Sequence, residues 1–189
     1  MRVDVPLAKA YLLLNHGPVT LVSSRHRDRT NVMAASWAMP LDFDPPKVVV
    51  VIDRNTLTRE LVDASQEFAL SVPPRALADT TLAVGSASGR STDKWSQYGL
   101  SSIPASRIDA PLVAGCIAWL ECRVLEERAV EQKYDLFIAE VVAASADDRV
   151  FSAGRWHFDD AELKTVHYVA GGQFFTIGEP VMGRPRDGG

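Results

Sequence analysis

The sequence predicts a mainly β fold, an antiparallel barrel with helices on its outside. Three observations predict it. Short runs of β-branched and apolar residues, bounded by Pro, Gly and Asn, outnumber the helical patterns. Strands and helices do not alternate in the sustained way that a parallel sheet of βαβ units requires. In the second half, two long apolar stretches, Leu112 to Leu125 and Leu136 to Ala143, flank the charged piece Glu126 to Asp135 and suggest a long hairpin.

Along the chain, Leu12 to Leu14 reads as a strand that stops at Asn15-His16-Gly17-Pro18, and Val19 to Ser23 as a second strand before the polar tip Arg25 to Thr30. Asn31 to Met39 follows, and Pro45-Pro46 closes it before the buried strand Val48 to Ile52. Asn55 to Ser65 has a helical pattern: Asn55 or Thr56 can cap it, Glu60 falls in its early turns, and Leu57, Leu61 and Val62 make an apolar stripe. Phe68 to Val72 is a strand ended by Pro73-Pro74, and Arg75 to Val84 is again helical through Leu77 and Leu82. Gly85 to Thr92 is a Gly/Ser loop, Lys94 to Tyr98 one helical turn, and Ser101 to Ala110 a polar loop. From Ala170 onwards the composition is that of a loop.

At 189 residues the chain has the length of one domain, with a core at about residues 10–178 and a flexible tail at 179–189. A net charge of -4 gives no basic footprint for nucleic acid. The longest apolar runs fall well below the roughly 20 residues of a spanning helix, so no membrane is expected. Asp4 and Lys9 interrupt the pattern of a secretory signal, which makes the cytoplasm the expected location. Cys116 and Cys122 lie in what reads as one strand, on the same face and too far apart to bridge, and are expected to be free, buried thiols. No Cys/His clustering suggests a metal site.

Three segments have the composition of ligand walls. Asn31-Val32-Met33-Ala34-Ala35-Ser36-Trp37 offers small residues that let backbone approach a planar ligand, with polar Asn31 and Ser36 and aromatic Trp37. By itself it is weak evidence and fits an ordinary barrel strand with one buried Trp better. Asp53-Arg54-Asn55-Thr56-Leu57-Thr58 puts a cation and two hydroxyls where a strand enters a helix, a geometry that presents free N–H groups to an anion. Helix capping accounts for it equally. Gly85 to Trp95, which includes Ser88, Gly89, Arg90 and Lys94, can wrap an anion with backbone N–H groups and bring Arg90 and Lys94 to it, or form a flexible surface loop. Gly-x-Gly-x-x-Gly after a strand and the Walker loop are both missing, which disfavours a Rossmann or P-loop site.

The order Asn-x-Met-Ala-x-Ser-Trp, Pro-Pro before a strand, Thr-x-Thr at a helix start, Phe-Ala-Leu-Ser-Val and Ser-Gly-Arg-x-x-Asp-Lys resembles the flavin reductase-like family, over about Leu13 to Ile177. The resemblance implies a six-stranded FMN-binding split β-barrel working as a homodimer, with FMN near the subunit interface. It implies that Asn31 and the backbone of Met33, Ala34, Ala35 and Ser36 face the isoalloxazine edge, with Trp37 near the ring. Arg54 with Thr56 or Thr58 would serve the ribityl-phosphate end, with Ser88, Gly89 and Arg90 at the same cofactor. Lys94 would neutralise phosphate charge or approach the flavin's electron-rich edge, and Phe174 or Phe175 would pack on the flavin. FMN then carries the chemistry and no side chain need act as acid or base.

One departure stands out. Where NAD(P)H-dependent members carry Asp-His in the last long hairpin, this chain has Tyr134 in the His position, within Gln132 to Val141. That leaves two expectations: an oxidoreductase driven by NADH or NADPH, and a flavoredoxin-type electron carrier with a redox protein partner. Of the four histidines, His16 and His26 are expected to face solvent, and His157 and His167 to have structural roles.

Overall fold

The structure, a computed structural model, describes residues 1–184. Its strands are β1 (Arg2–Asp4), β2 (Thr20–His26), β3 (Arg29–Ala35), β4 (Ala38–Phe43), β5 (Pro46–Val51), β6 (Glu67–Val72), β7 (Ser102–Ile103), β8 (Leu112–Val113), β9 (Ala118–Leu125), β10 (Leu136–Asp147), β11 (Phe151–Ser152), β12 (Arg155–Trp156), β13 (Val166–Ala170) and β14 (Gln173–Thr176). The α-helices are α1 (Leu57–Ser65), α2 (Ala78–Ser86), α3 (Lys94–Gln97) and α4 (Arg128–Tyr134). Among the described residues no helix is long and apolar enough to cross a membrane.

The main sheet runs β3-β2-β6-β9-β10-β5-β4, with β1 added on β10, and every pairing in it is antiparallel. β3 and β4 are the two ends of that order, yet only Ser36 and Trp37 separate them in the chain. Laid flat, the sheet would hold those ends roughly 29 Å apart at about 4.8 Å per strand, whereas three Cα steps reach about 11 Å. The sheet therefore rolls up until its ends approach at Ser36-Trp37, and it stays open because β3 and β4 do not pair. This is a split barrel. The resemblance implies six strands and the sheet has eight, in part because the twelve-residue β10 takes β5 along its first half and β1 along its second.

The central strands are buried on both faces with a period of two. Phe68, Leu70 and Val72 of β6 and Leu120 and Cys122 of β9 join the barrel interior. Ala69 and Trp119 on the opposite faces join a second core with Val84, Ile108, Leu112 and Val113. That second core fastens α2 and the 100–116 loops to the outside of the wall.

Several elements differ from the sequence reading. Leu12 to Leu14 is not a strand: a 3-10 helix spans Leu7–Leu13 and buries Ala10, Leu13 and Leu14 in the barrel, and a short apolar run does not distinguish buried helix from strand. Leu112 to Leu125 is broken into β8 and β9, with Gly115 at φ +80° turning the chain between them. Cys116 and Cys122 consequently lie in different cores rather than on one face; both are free, and burial pushes both thiols up. The piece Glu126 to Asp135 contains helix α4, whose Glu131 is buried and accepts from the Glu127 backbone N–H at 2.9 Å. The helix ends at Asp135, in the left-handed region at φ +56°. Beyond Val166, β13 and β14 form a hairpin through Gly171 and Gly172, where a loop was expected; of the expected tail, residues 185–189 lie outside the described residues.

Candidate functional site

β3 carries the small-residue segment to the open edge of the barrel, where its outward backbone N–H and C=O groups have no strand to pair with. Alternation sends Met33 and Ala35 toward the barrel core, and Val32 and Ala34 toward the outer core against α2. Asn31 is buried, and its Nδ2 donates to the Thr58 hydroxyl at 2.8 Å. Gly89 presses on the same amide. A Cβ added there would lie 2.6 Å from Asn31 Cγ and 2.8 Å from Nδ2, and closer still to Oδ1. Three residues far apart in sequence thus meet at one point, and only glycine permits the approach.

Around that point stands the start of α1. Thr56 caps the helix: its hydroxyl accepts from Arg59 N at 3.1 Å and donates to Asp53 O at 2.8 Å. The 88–92 loop closes over it. Ser88 O accepts from the N–H groups of Ser91 and Thr92, and Arg90 donates from Nε to Asn55 O at 3.3 Å. Arg90 and Arg29 share Glu60 at 2.8 and 2.6 Å, which leaves this cluster one positive charge in excess and holds the Glu60 carboxyl below its usual range. Arg54 does not join this group. It reaches Asp135 at 3.0 Å and Gln132 O at 2.9 Å, on the α4 side.

Lys94 is buried at the start of α3, with Nζ donating to Val84 O at 2.8 Å and no acidic partner among the described residues. Burial pushes its ammonium down to about 8, from an ordinary 10.5. The folded chain thus binds fewer protons than the unfolded chain between these values. The stability penalty is full below pH 8 and disappears as pH rises toward 10.5.

Two clefts meet at Ala34 and Ser36. One, of about 190 Å³, is lined by Val19, Thr81, Gly85, Ser86, Tyr168 and Phe174, and it carries no charged side chain. Phe174 and Tyr168 stand edge to face there, 5.3 Å between centroids. The other, of about 330 Å³, lies in the split itself and is walled by Met33 to Trp37 with Val51, Asp53, Tyr134 and Asp135. Trp37 is 73% exposed, which corrects the picture of a buried Trp: it sits at the crossing between the two sheet ends.

The structure therefore gathers Asn31, Thr58, Ser88, Gly89 and Arg90 at the start of α1. It places Met33, Ala34, Ala35, Ser36, Trp37 and Phe174 around the paired clefts. Thr81, Leu82 and Tyr168 are cleft residues that the sequence reading passed over. Thr81 and Gly85 lie one helical turn apart on the face of α2 that meets Ala34, and a Cβ added at Gly85 would lie 3.2 Å from the Ala34 methyl.

Comparison with known proteins follows the same outline. The description "Flavin reductase like domain" matches residues 13–168. An uncharacterized protein of Escherichia coli (strain K12), YddH, is 43% identical over 182 residues, spanning 95% of this chain and 96% of that one. The crystal structure of an FMN-binding domain of a flavin reductases-like enzyme from Shewanella baltica OS155 superposes with a TM-score of 0.95 at 46% identity, covering 97% and 98% of the two chains. Flavoredoxin of Desulfovibrio vulgaris (Miyazaki F) superposes with a TM-score of 0.77 at 25% identity, covering 88% and 90%. With its open antiparallel barrel and a family match running through most of its length, the chain belongs to the flavin reductase-like family and has that family's FMN-binding split-barrel fold.

Proposed function

We propose that this protein binds FMN along the free edge of β3 and works as an FMN-dependent oxidoreductase, driven by NADH or NADPH. The observation that carries the reading is the convergence of Asn31, Thr58 and Gly89 beside the two clefts. The residues present fit the group. The unpaired backbone of β3 suits the hydrogen-bonding edge of a flavin ring, and the split cleft is within the size range of cofactor sites. The start of α1 with Arg90 suits a phosphate. Bound FMN supplies the two-electron chemistry. The β3 edge with Ser36, shared by the two clefts, would orient the ring, the start of α1 with Arg90 would hold the phosphate, and Tyr168 and Phe174 would exclude water on one side.

The test is an absorption spectrum of the flavin-loaded protein without oxygen, before and after NADH and then NADPH. Bleaching of the oxidised flavin by either donor is the expected result, and no bleaching by either removes the nicotinamide-driven reading. A second reading is a flavoredoxin-type carrier reduced by a protein partner. It is favoured by Tyr134, which lines the split cleft in the place of the family's His. It predicts flavin that accepts electrons from dithionite and from neither nicotinamide.

Lys94 gives a sharper test of the site. A buried, unpaired ammonium is a cost that a nearby dianion offsets. Lys94→Met should weaken FMN at pH 7 by about 1–3 kcal/mol. The flavin-free variant should unfold at the same temperature as wild type or higher, because the buried charge is gone. FMN affinity equal to wild type would give Lys94 a structural role only.

The edge strand β4 supports a homodimer. Trp37, Met39, Leu41 and Phe43 are all exposed along or beside β4, whose register shifts between Pro40 and Asp42, so this edge of the split barrel is rich in exposed apolar side chains beside the cleft. Met39→Lys together with Phe43→Lys should convert a dimer to monomer by light scattering and lower FMN affinity with it. A wild-type protein that is monomeric at tens of micromolar would remove both expectations. Two unpaired buried thiols fit a reducing compartment, and we place the protein in the cytoplasm on that ground.

A further inference from the structure

The β13–β14 hairpin carries Tyr168 and Phe174, two walls of the smaller cleft, but it pairs with no strand of the main sheet. What fastens it is local. Val19 N donates to Val166 O at 2.9 Å, and Pro74 makes an isolated bridge to Thr165. Arg75 N also donates to Lys164 O at 2.7 Å just before the hairpin, and Val166 is buried. A further tie is a chain of side chains. His16 Nε2 lies 3.1 Å from the Thr165 hydroxyl, that hydroxyl lies 3.3 Å from His167 Nε2, and His167 Nδ1 lies 2.9 Å from Gly17 O. Thr165 is fully buried.

The order of protons along this chain follows from donor and acceptor roles. A carbonyl oxygen only accepts, so His167 Nδ1 carries a proton and, in the neutral ring, Nε2 accepts. Thr165 therefore donates to His167, and its lone pair accepts from His16 Nε2–H. His16 Nδ1 is left as a bare, buried lone pair without a partner among the described residues, in a ring that sits edge-on to Trp156 at 5.2 Å. This corrects the expectation that His16 faces solvent. Burial first, and the nearby His167 second, push the His16 imidazole down to about 4.

A single added proton breaks the order. On His167 it puts an N–H at the Thr165 hydroxyl, which accepts it only by turning its O–H to His16 Nε2 and so moving that ring's proton to the buried Nδ1, which has no acceptor among the described residues. On His16 it puts an N–H where no acceptor exists, and the two rings are only 5.7 Å apart. The charged groups on the surrounding elements do not compensate. Arg75 pairs with Glu162 at 3.5 Å and Lys164 with Glu179 at 3.9 Å. His157 bonds Ser152, Asp160 caps the Ala161–Leu163 turn, and Arg155 is exposed; among the described residues none of these contacts either imidazole.

We propose that His16, Thr165 and His167 are positioning residues: a proton-ordered clamp that holds the hairpin, and with it Tyr168 and Phe174, over the flavin cleft, and lets go on acidification. The link to flavin rests on the function proposed above, whereas the clamp itself does not. Hydrogen exchange of residues 166–176 in the flavin-free protein, corrected for intrinsic rates, tests the clamp at pH 7.5 and 5.0. Wild type should lose at least about tenfold in protection at the lower pH. His167→Gln keeps a donor for Gly17 and takes up no proton, so its protection should change less than about twofold across the same range. Thr165→Val should show low protection at both. Riboflavin, which has no phosphate to titrate, then reports the site: its affinity should fall with pH in wild type and stay level in His167→Gln. Wild-type protection that does not change with pH, or the same loss in His167→Gln, overturns the clamp. Exchange that behaves as expected with no riboflavin or FMN binding at any pH would leave the clamp standing and remove the flavin reading.

Discussion

Arg59→Ala is expected to destabilise the protein by about 3 kcal/mol, a drop of roughly 6 to 12 °C in Tm for a chain of this size. Arg59 is a buried cation whose guanidinium joins four segments. It donates from Nε to Asp63 at 2.9 Å, from one terminal nitrogen to Asp135 at 3.3 Å and Ile52 O at 3.4 Å, and from the other to Glu131 O at 3.2 Å. Its carbon lies 4.6 Å above the Phe137 ring. Truncation leaves two backbone carbonyls and a carboxylate short of donors in places that water reaches poorly, and this unmade bonding, more than the lost attraction, sets the size of the effect. Arg59→Lys keeps the charge and loses the planar fork, so it should recover only part of the stability. Thermal unfolding followed by circular dichroism measures both. An Arg59→Ala protein melting within about 2 °C of wild type would mean that α1 is held to α4 by packing alone.

Gly89→Val should weaken FMN binding by about fivefold to a hundredfold. The side chain has no room, since its first carbon already falls inside contact distance of the Asn31 amide. Either Asn31 turns and gives up Thr58, or the 88–92 loop lifts and takes Arg90 from the start of α1. Each outcome removes polar contacts worth about 1–3 kcal/mol together, and roughly 1.4 kcal/mol is tenfold in affinity. Flavin fluorescence titration measures it, with thermal unfolding as the control. Affinity within threefold of wild type would show that the meeting of Asn31, Thr58 and Gly89 is only structural packing.

Both expectations depend on contacts of different legibility. Thr56 as the cap of α1 was readable from sequence, because a hydroxyl before an apolar stripe is a local signal, and the structure shows it capping Arg59 N. The smallness of Met33 to Ser36 was readable for the same reason. The resemblance assigns Arg54 to the ribityl-phosphate end, yet in the fold it pairs with Asp135 at the end of α4. The charged piece that contains α4 was read as the turn of a hairpin, so no partner was in view there. Trp37 was read beside an ordinary strand. It is exposed because the chain crosses there between two ends of a rolled sheet, which no two-residue period reveals.

By itself the sequence determined the β-rich class and the family, since these rest on residue types in a set order along the chain. The tertiary structure alone decided which groups meet: Asn31 with Thr58 across 27 residues, His16 with Thr165 across 149, and the hairpin wall of Tyr168 and Phe174 over α2. A hydrogen bond depends on two atoms arriving within about 3 Å at a suitable angle, and that is settled by how the whole barrel rolls and packs.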